Sequence, residues 1–158
     1  MTPSYVELHA RSAFSFLRGA SFPEHLAERA RDLELPAVAL CDRDGVYGAP
    51  RFYGKGKEFG VRLILGAELT LEDGAVLPVL VESRTGYRNL CQLITRAKLR
   101  GTKTDAPMHW DELAEFAEGL IALTGDDEGP IQRCLENDDL AGARNGMARM
   151  RRSSPRCK

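Results

Sequence analysis

Polar and apolar positions alternate near the start of the chain, with Val6 and Leu8 set against Glu7 and His9. A period of two predicts a short β-strand. The run from Ala37 to Cys41 is continuously apolar and predicts a second strand, covered on both faces. Between them, Ser21-Phe22-Pro23-Glu24 predicts a helix start, with Ser21 as cap, an early proline and a glutamate three residues after the cap. That helix is expected to run to about Leu33, with Leu26, Ala30 and Leu33 on one stripe, and Pro36 closes the connection. A looser helix is expected between Gly45 and Gly60. It is weakened by Gly48, Gly54 and Gly56 and closed by Gly60. A third strand, Arg62–Ala67, ends at Glu68.

Asp73-Gly74, between Leu69–Glu72 and Ala75–Glu82, predicts a two-residue hairpin. Thr85-Gly86 opens an amphipathic helix with Leu90, Leu93, Ile94 and Ala97 on one face. After a loop over Gly101–Pro107 come a helix at Trp110–Ala117, a short strand at Leu120–Thr124 and a turn at Gly125-Asp126-Asp127. Pro130–Glu136 and Asp139–Met150 read as two further helices. The β-α-β-α-β order predicts an α/β fold on a parallel sheet with right-handed crossovers.

Composition narrows the function classes. In 158 residues, 43% are hydrophobic and 28% charged, ordinary values for one globular domain. A net charge of −1 gives no whole-chain argument for nucleic-acid or membrane affinity. The first residues lack a basic flank followed by an apolar core, and no apolar run approaches the roughly 20 residues of a membrane span. Cys41, Cys91, Cys134 and Cys157 form no CxxC pair, so free thiols in a reducing cytoplasm are expected. From Arg144 to Lys158 there are five arginines and one lysine and no acid. Residues 1–143 are therefore read as the domain and 144–158 as a basic, disordered tail. A phosphate-binding tail and a lost reading frame are the alternatives.

His9, Asp42 and Glu68 each stand at the end of an expected strand, so parallel pairing would gather them on one rim as candidate metal ligands. Asp44 stands beside them. Arg11 and Arg43 oppose that reading, because a guanidinium stays protonated and has no lone pair for a cation. They are expected to replace metal by pairing with Asp42, Asp44 or Glu68. His25 and His109 are expected at the surface or in caps. No GxGxxG, Walker or GxSxG pattern is present. Phe14, Phe16 and Phe22 could stack bases but are expected in the core.

LHARS with FSFLRGAS, then ALCDRDGVYGA, then GAELTL, resembles the PHP (polymerase and histidinol phosphatase) domain. The likeness is to the amino-terminal PHP domain of bacterial C-family DNA polymerases, the alpha subunit of DNA polymerase III. FSFLRGAS, LPVLVESRTGYRNLCQLIT and AEGLIALTG are closest to the error-prone branch. It covers about Tyr5 to Thr124 and is expected to continue to Ala148. The family's HxH motif is carried by His9 with Arg11 in place of the second histidine. Its Asp-His pair is carried by Asp42 with Arg43 in place of histidine, and the glutamate of its GxE by Glu68. A later DxH has no counterpart.

The resemblance implies a distorted barrel of about seven strands, where an ordinary β/α barrel takes about 250 residues, so four or five β/α units and a partial barrel are expected here. It also implies an N-terminal piece of an error-prone polymerase, linked to DNA replication, repair and lesion bypass but itself structural. The implied site is vestigial, with no catalytic residues and no cofactor, or zinc or another divalent metal if the site works. Implied partners are the remainder of the alpha subunit or its accessory proteins, with DNA reached through the polymerase, no membrane and a cytoplasmic location. A stand-alone metal-dependent phosphoesterase and a functionless gene remnant are the competing readings.

Overall fold

The computed structural model describes residues 5–102 and 105–153. Among these described residues the structure is mixed α/β, with five strands and six helices. The chain divides into two compact units, Met1–Ala67 and Glu68–Lys158.

The first unit holds β1 (Glu7–Ala10), α1 (Pro23–Asp32), β2 (Val38–Arg43), α2 (Ala49–Phe59) and the start of β3 (Leu63–Thr70), with strand order β1-β2-β3. β1 runs parallel to β2, pairing Glu7 with Val38 and Ala10 with Leu40. Three steps on β1 against two on β2 make a bulge, which re-aims the side chains that follow. Ala27 and Ala30 of α1, Val38 and Leu40 of β2 and Phe52 of α2 form the core, flanked by Leu26, Leu35 and Leu63.

The cap of α1 differs from expectation. Phe22, not Ser21, is the N-cap and gives no side-chain hydrogen bond, while Pro23 occupies the first turn. The helix ends at Asp32, so Leu33 leaves the apolar stripe and is 52% exposed. Its place is taken by Pro23 and Ala27, which are buried with Ala30. α2 ends at Gly60, left-handed at φ 70°, as the sequence predicts. Gly56 is needed inside it because a Cβ there would come within 2.1 Å of Leu63 Cδ1. β2 and β3 both run further than expected, so Asp42 and Glu68 lie within strands rather than just after them.

The second unit holds the end of β3, β4 (Val76–Val81), α3 (Arg84–Arg100), α4 (Trp110–Glu115), β5 (Leu120–Ala122), α5 (Pro130–Glu136) and α6 (Leu140–Ser153), with order β3-β4-β5. The Asp73-Gly74 turn is present. Gly74 sits at φ 77°, Leu71 N donates to Ala75 O at 2.8 Å, and Asp73 Oδ1 accepts from Ala75 N at 3.0 Å. β5 is antiparallel to β4, with Leu80 opposite Ile121, so the sheet is mixed and not wholly parallel. α3 is capped by Ser83, whose Oγ accepts from Gly86 N at 3.1 Å, and it buries Leu90, Leu93, Ile94 and Ala97 as predicted. α6 carries residues 144–153 of the expected tail as helix, with Met150 1% exposed. Residues 154–158, including Cys157, lie outside the described residues.

Glu112, in the first turn of α4, accepts two bonds from the Arg100 guanidinium, at 2.5 and 3.1 Å. That guanidinium holds the Glu112 carboxyl below its usual range, against a smaller opposing effect of burial. A depressed carboxyl contributes stability above its unfolded value of 4.5 and loses that contribution as pH falls through the folded value. Glu112→Gln is therefore predicted to cost about 1 kcal/mol at neutral pH. Thermal melts of both proteins should converge at a pH well below 4.5; an undiminished gap there would contradict the pairing.

Candidate functional site

In the first unit the chemistry gathers where β1 and β2 end. His9, the penultimate residue of β1, is half-buried, and its amide donates to Glu7 Oε1 at 2.7 Å. Asp42, the penultimate residue of β2, is 1% exposed. A carboxylate so placed needs donors in place of water. Ser12 N reaches its Oδ1 at 2.9 Å, Ser12 Oγ lies 2.8 and 2.9 Å from its two oxygens, and Ser15 Oγ donates to Oδ1 at 2.8 Å. Both serines are fully buried. Ser15 Oγ also accepts from Arg43 N at 3.0 Å, and Ser12 Oγ from Phe14 N at 3.2 Å.

Among the described residues, then, two hydroxyls and an amide donate to Asp42. Of the three carboxylates expected to pair with Arg11 and Arg43, namely Asp42, Asp44 or Glu68, Asp42 takes donors from the neutral serines of the adjacent loop. Neither serine was a candidate from the sequence; their signal is the pair of serines three apart just after β1. Arg11, Arg43 and Asp44 are partly buried around this knot, and Asp44 adopts a left-handed φ of 50°.

The loop from Ser12 to Ser21 is closed at its base. Ala13 N donates to Ser21 O at 2.8 Å and Gly19 N to Ser15 O at 3.1 Å. A Cβ on Gly19 would lie 2.1 Å from Ser12 O, so this crossing requires glycine. The aromatics do not enter the core as expected. Phe14, Phe16 and Phe22 are 39%, 84% and 50% exposed, with Phe14 between the two pinned serines, Phe16 just beyond them at the loop tip and Phe22 at the N-cap of α1. His25 is exposed, as expected, with its ring edge-on to Phe22 at 5.8 Å.

In the second unit Glu68 is fully buried, and a carboxylate oxygen of Asp126 lies within 4.8 Å of one of its own. Asp126 was read from the sequence only as part of a turn. Gly125 at φ 84° and the bond from Gly129 N to Asp126 O, 2.8 Å, make that turn and place its carboxylate. Two oxygens so close suit a hard cation or a charged donor. His109 caps α4, and its Nδ1 lies 3.1 Å from Glu72 Oε2. At Asp42, Oδ1 takes most of the donors, while the single proton of the Ser12 hydroxyl is shared between Oδ1 and Oδ2.

The pattern that defines the PHP domain matches residues 7–154. An error-prone DNA polymerase of Mycobacterium bovis is 41% identical over 157 residues, covering 92% of this chain and 14% of that protein. One of Pseudomonas fluorescens is 42% identical over 120 residues, 76% of this chain and 12% of its own. A solved structure from Bifidobacterium adolescentis, described as a candidate metal-dependent phosphoesterase, is 24% identical with a TM-score of 0.47, covering 97% of this chain and 56% of that one. The chain thus spans about one seventh of the length of the first curated relative it matches.

Replacing both Ser12 and Ser15 by alanine strands the buried Asp42 charge and is predicted to cost about 3–5 kcal/mol. Restoring neutrality with Asp42→Asn in the same background should recover part of that loss in urea unfolding. No recovery would mean that the serines act otherwise than by satisfying the carboxylate.

Proposed function

The chain belongs to the PHP domain family, and on that premise we propose that it serves as the PHP domain of an error-prone DNA polymerase, in a structural rather than a hydrolytic role. The observation that carries this reading is the state of Asp42. The residue matching the aspartate of the family's second motif is buried and hydrogen-bonded by Ser12 and Ser15. The residue after it is Arg43, and Arg11 follows His9 by two. Two imidazoles expected of a metal-binding set are thus guanidiniums, which repel a cation. His9 and Glu68 remain as vestigial ligand positions.

The similarity to error-prone DNA polymerases supports the rest of the proposal. The chain would act within a longer polymerase polypeptide or beside its accessory proteins. It would touch DNA through them and take part in lesion-tolerant synthesis during replication and repair in the cytoplasm. Among the described residues no helix is long and apolar enough to cross a membrane.

A phosphoesterase reading draws on the Glu68–Asp126 carboxylate pair and makes a different prediction. The purified chain would be equilibrated with zinc and with manganese, desalted, and assayed for metal content and for turnover of p-nitrophenyl phosphate. The structural role predicts less than one equivalent of either metal, no turnover above a mock preparation and a cooperative melt that chelator does not lower. One equivalent of metal with chelator-sensitive turnover would overturn it in favour of the hydrolase.

A further inference from the structure

Phe14, Phe16 and Phe22 fall within nine residues of a loop that the structural role does not use. The tip is the most exposed apolar surface of the first unit, with Phe16 84% and Leu17 89% exposed. Leu17 adopts φ 61°, the left-handed region that a branched apolar residue enters only at a cost. The strained tip stands on a rigid base, because Ser12 and Ser15 are bound to Asp42 and Gly19 crosses Ser12 in contact. An apolar pair held out in one conformation loses little entropy when something covers it.

The chemistry around the tip selects the occupant. The Arg51 guanidinium carbon lies 5.7 Å from the Phe14 ring centroid and 5.3 Å from that of Phe22, and Arg51 is held in place by an ion pair with Glu24. From Ala10 to Pro23 there is no acidic residue, while Arg11 and Arg18 are both cationic. Aromatic faces interleaved with arginines suit a ligand that carries flat π-faces and anionic charge on the same chain, which is unpaired nucleic acid. A protein partner would need an apolar pocket with an acidic rim, and nothing around the loop specifies that shape.

We infer that the loop from Ser12 to Ser21 is a stacking site for the bases of single-stranded nucleic acid, with Phe16 as the principal platform and the neighbouring arginines facing phosphates. The inference does not depend on whether the chain binds metal.

The test is fluorescence anisotropy of the full chain with a labelled oligothymidine of about 15 residues at about 50 mM salt. Saturable binding is expected, and it should weaken as salt rises. Phe16→Ala should reduce affinity roughly five- to a hundred-fold, in line with the loss of one stacked base, whereas Phe16→Trp should retain it. Because Phe16 touches no core, both variants should melt with the parent, and matching melts exclude misfolding as the cause. No binding by the intact parent would overturn the inference and return the exposed pair to a protein partner. Equal binding by parent and Phe16→Ala would overturn it as well and move the contact to another cationic surface.

Discussion

Asp42 is a carboxylate with 1% exposure at the end of a strand, and its charge can stay there only if donors replace the water it has lost. Ser12 and Ser15 supply them. Satisfying one buried charge therefore fixes the loop after β1 against the end of β2, thirty residues further along the chain. Gly19 and Gly48 belong to the same constraint. A side chain on the first would strike Ser12 O, and one on the second would come within 2.7 Å of Asp42 Oδ2.

The functional consequences follow from that anchor. On the proposed structural role, the hydrogen bonds at Asp42 serve as an anchor, and the adjacent residue is a guanidinium. The same hydrogen bonds make the strand end the base of a loop that carries the exposed Phe16 and Leu17.

Much of the framework was legible in the sequence because it depends on local rules. The apolar run before Asp42 is β2, Gly60 closes α2, Asp73-Gly74 makes the turn before β4, and Leu90, Leu93, Ile94 and Ala97 line the buried face of α3. The resemblance to the PHP domain rested on motifs that the comparisons then matched across residues 7–154. What the sequence hid is non-local. Nothing in ARSAFS says that its serines will meet a carboxylate from another strand. The exposed phenylalanines looked like core because composition cannot show that a loop is pinned at both ends. Asp126 passed as a turn residue because its nearness to Glu68 arises from tertiary packing within the second unit. The helix expected over Asp139–Met150 runs on to Ser153, because the run of arginines does not break it.

Native-state hydrogen exchange at the amides of Ser12 and Arg43 tests the anchor most directly. Their partners are Asp42 Oδ1 and Ser15 Oγ, at 2.9 and 3.0 Å. If the buried carboxylate organises this end of the unit, both amides should exchange only on global unfolding, as slowly as that of Phe52 in the core. Exchange at the rate of an open loop, with Phe52 still protected, would contradict the account.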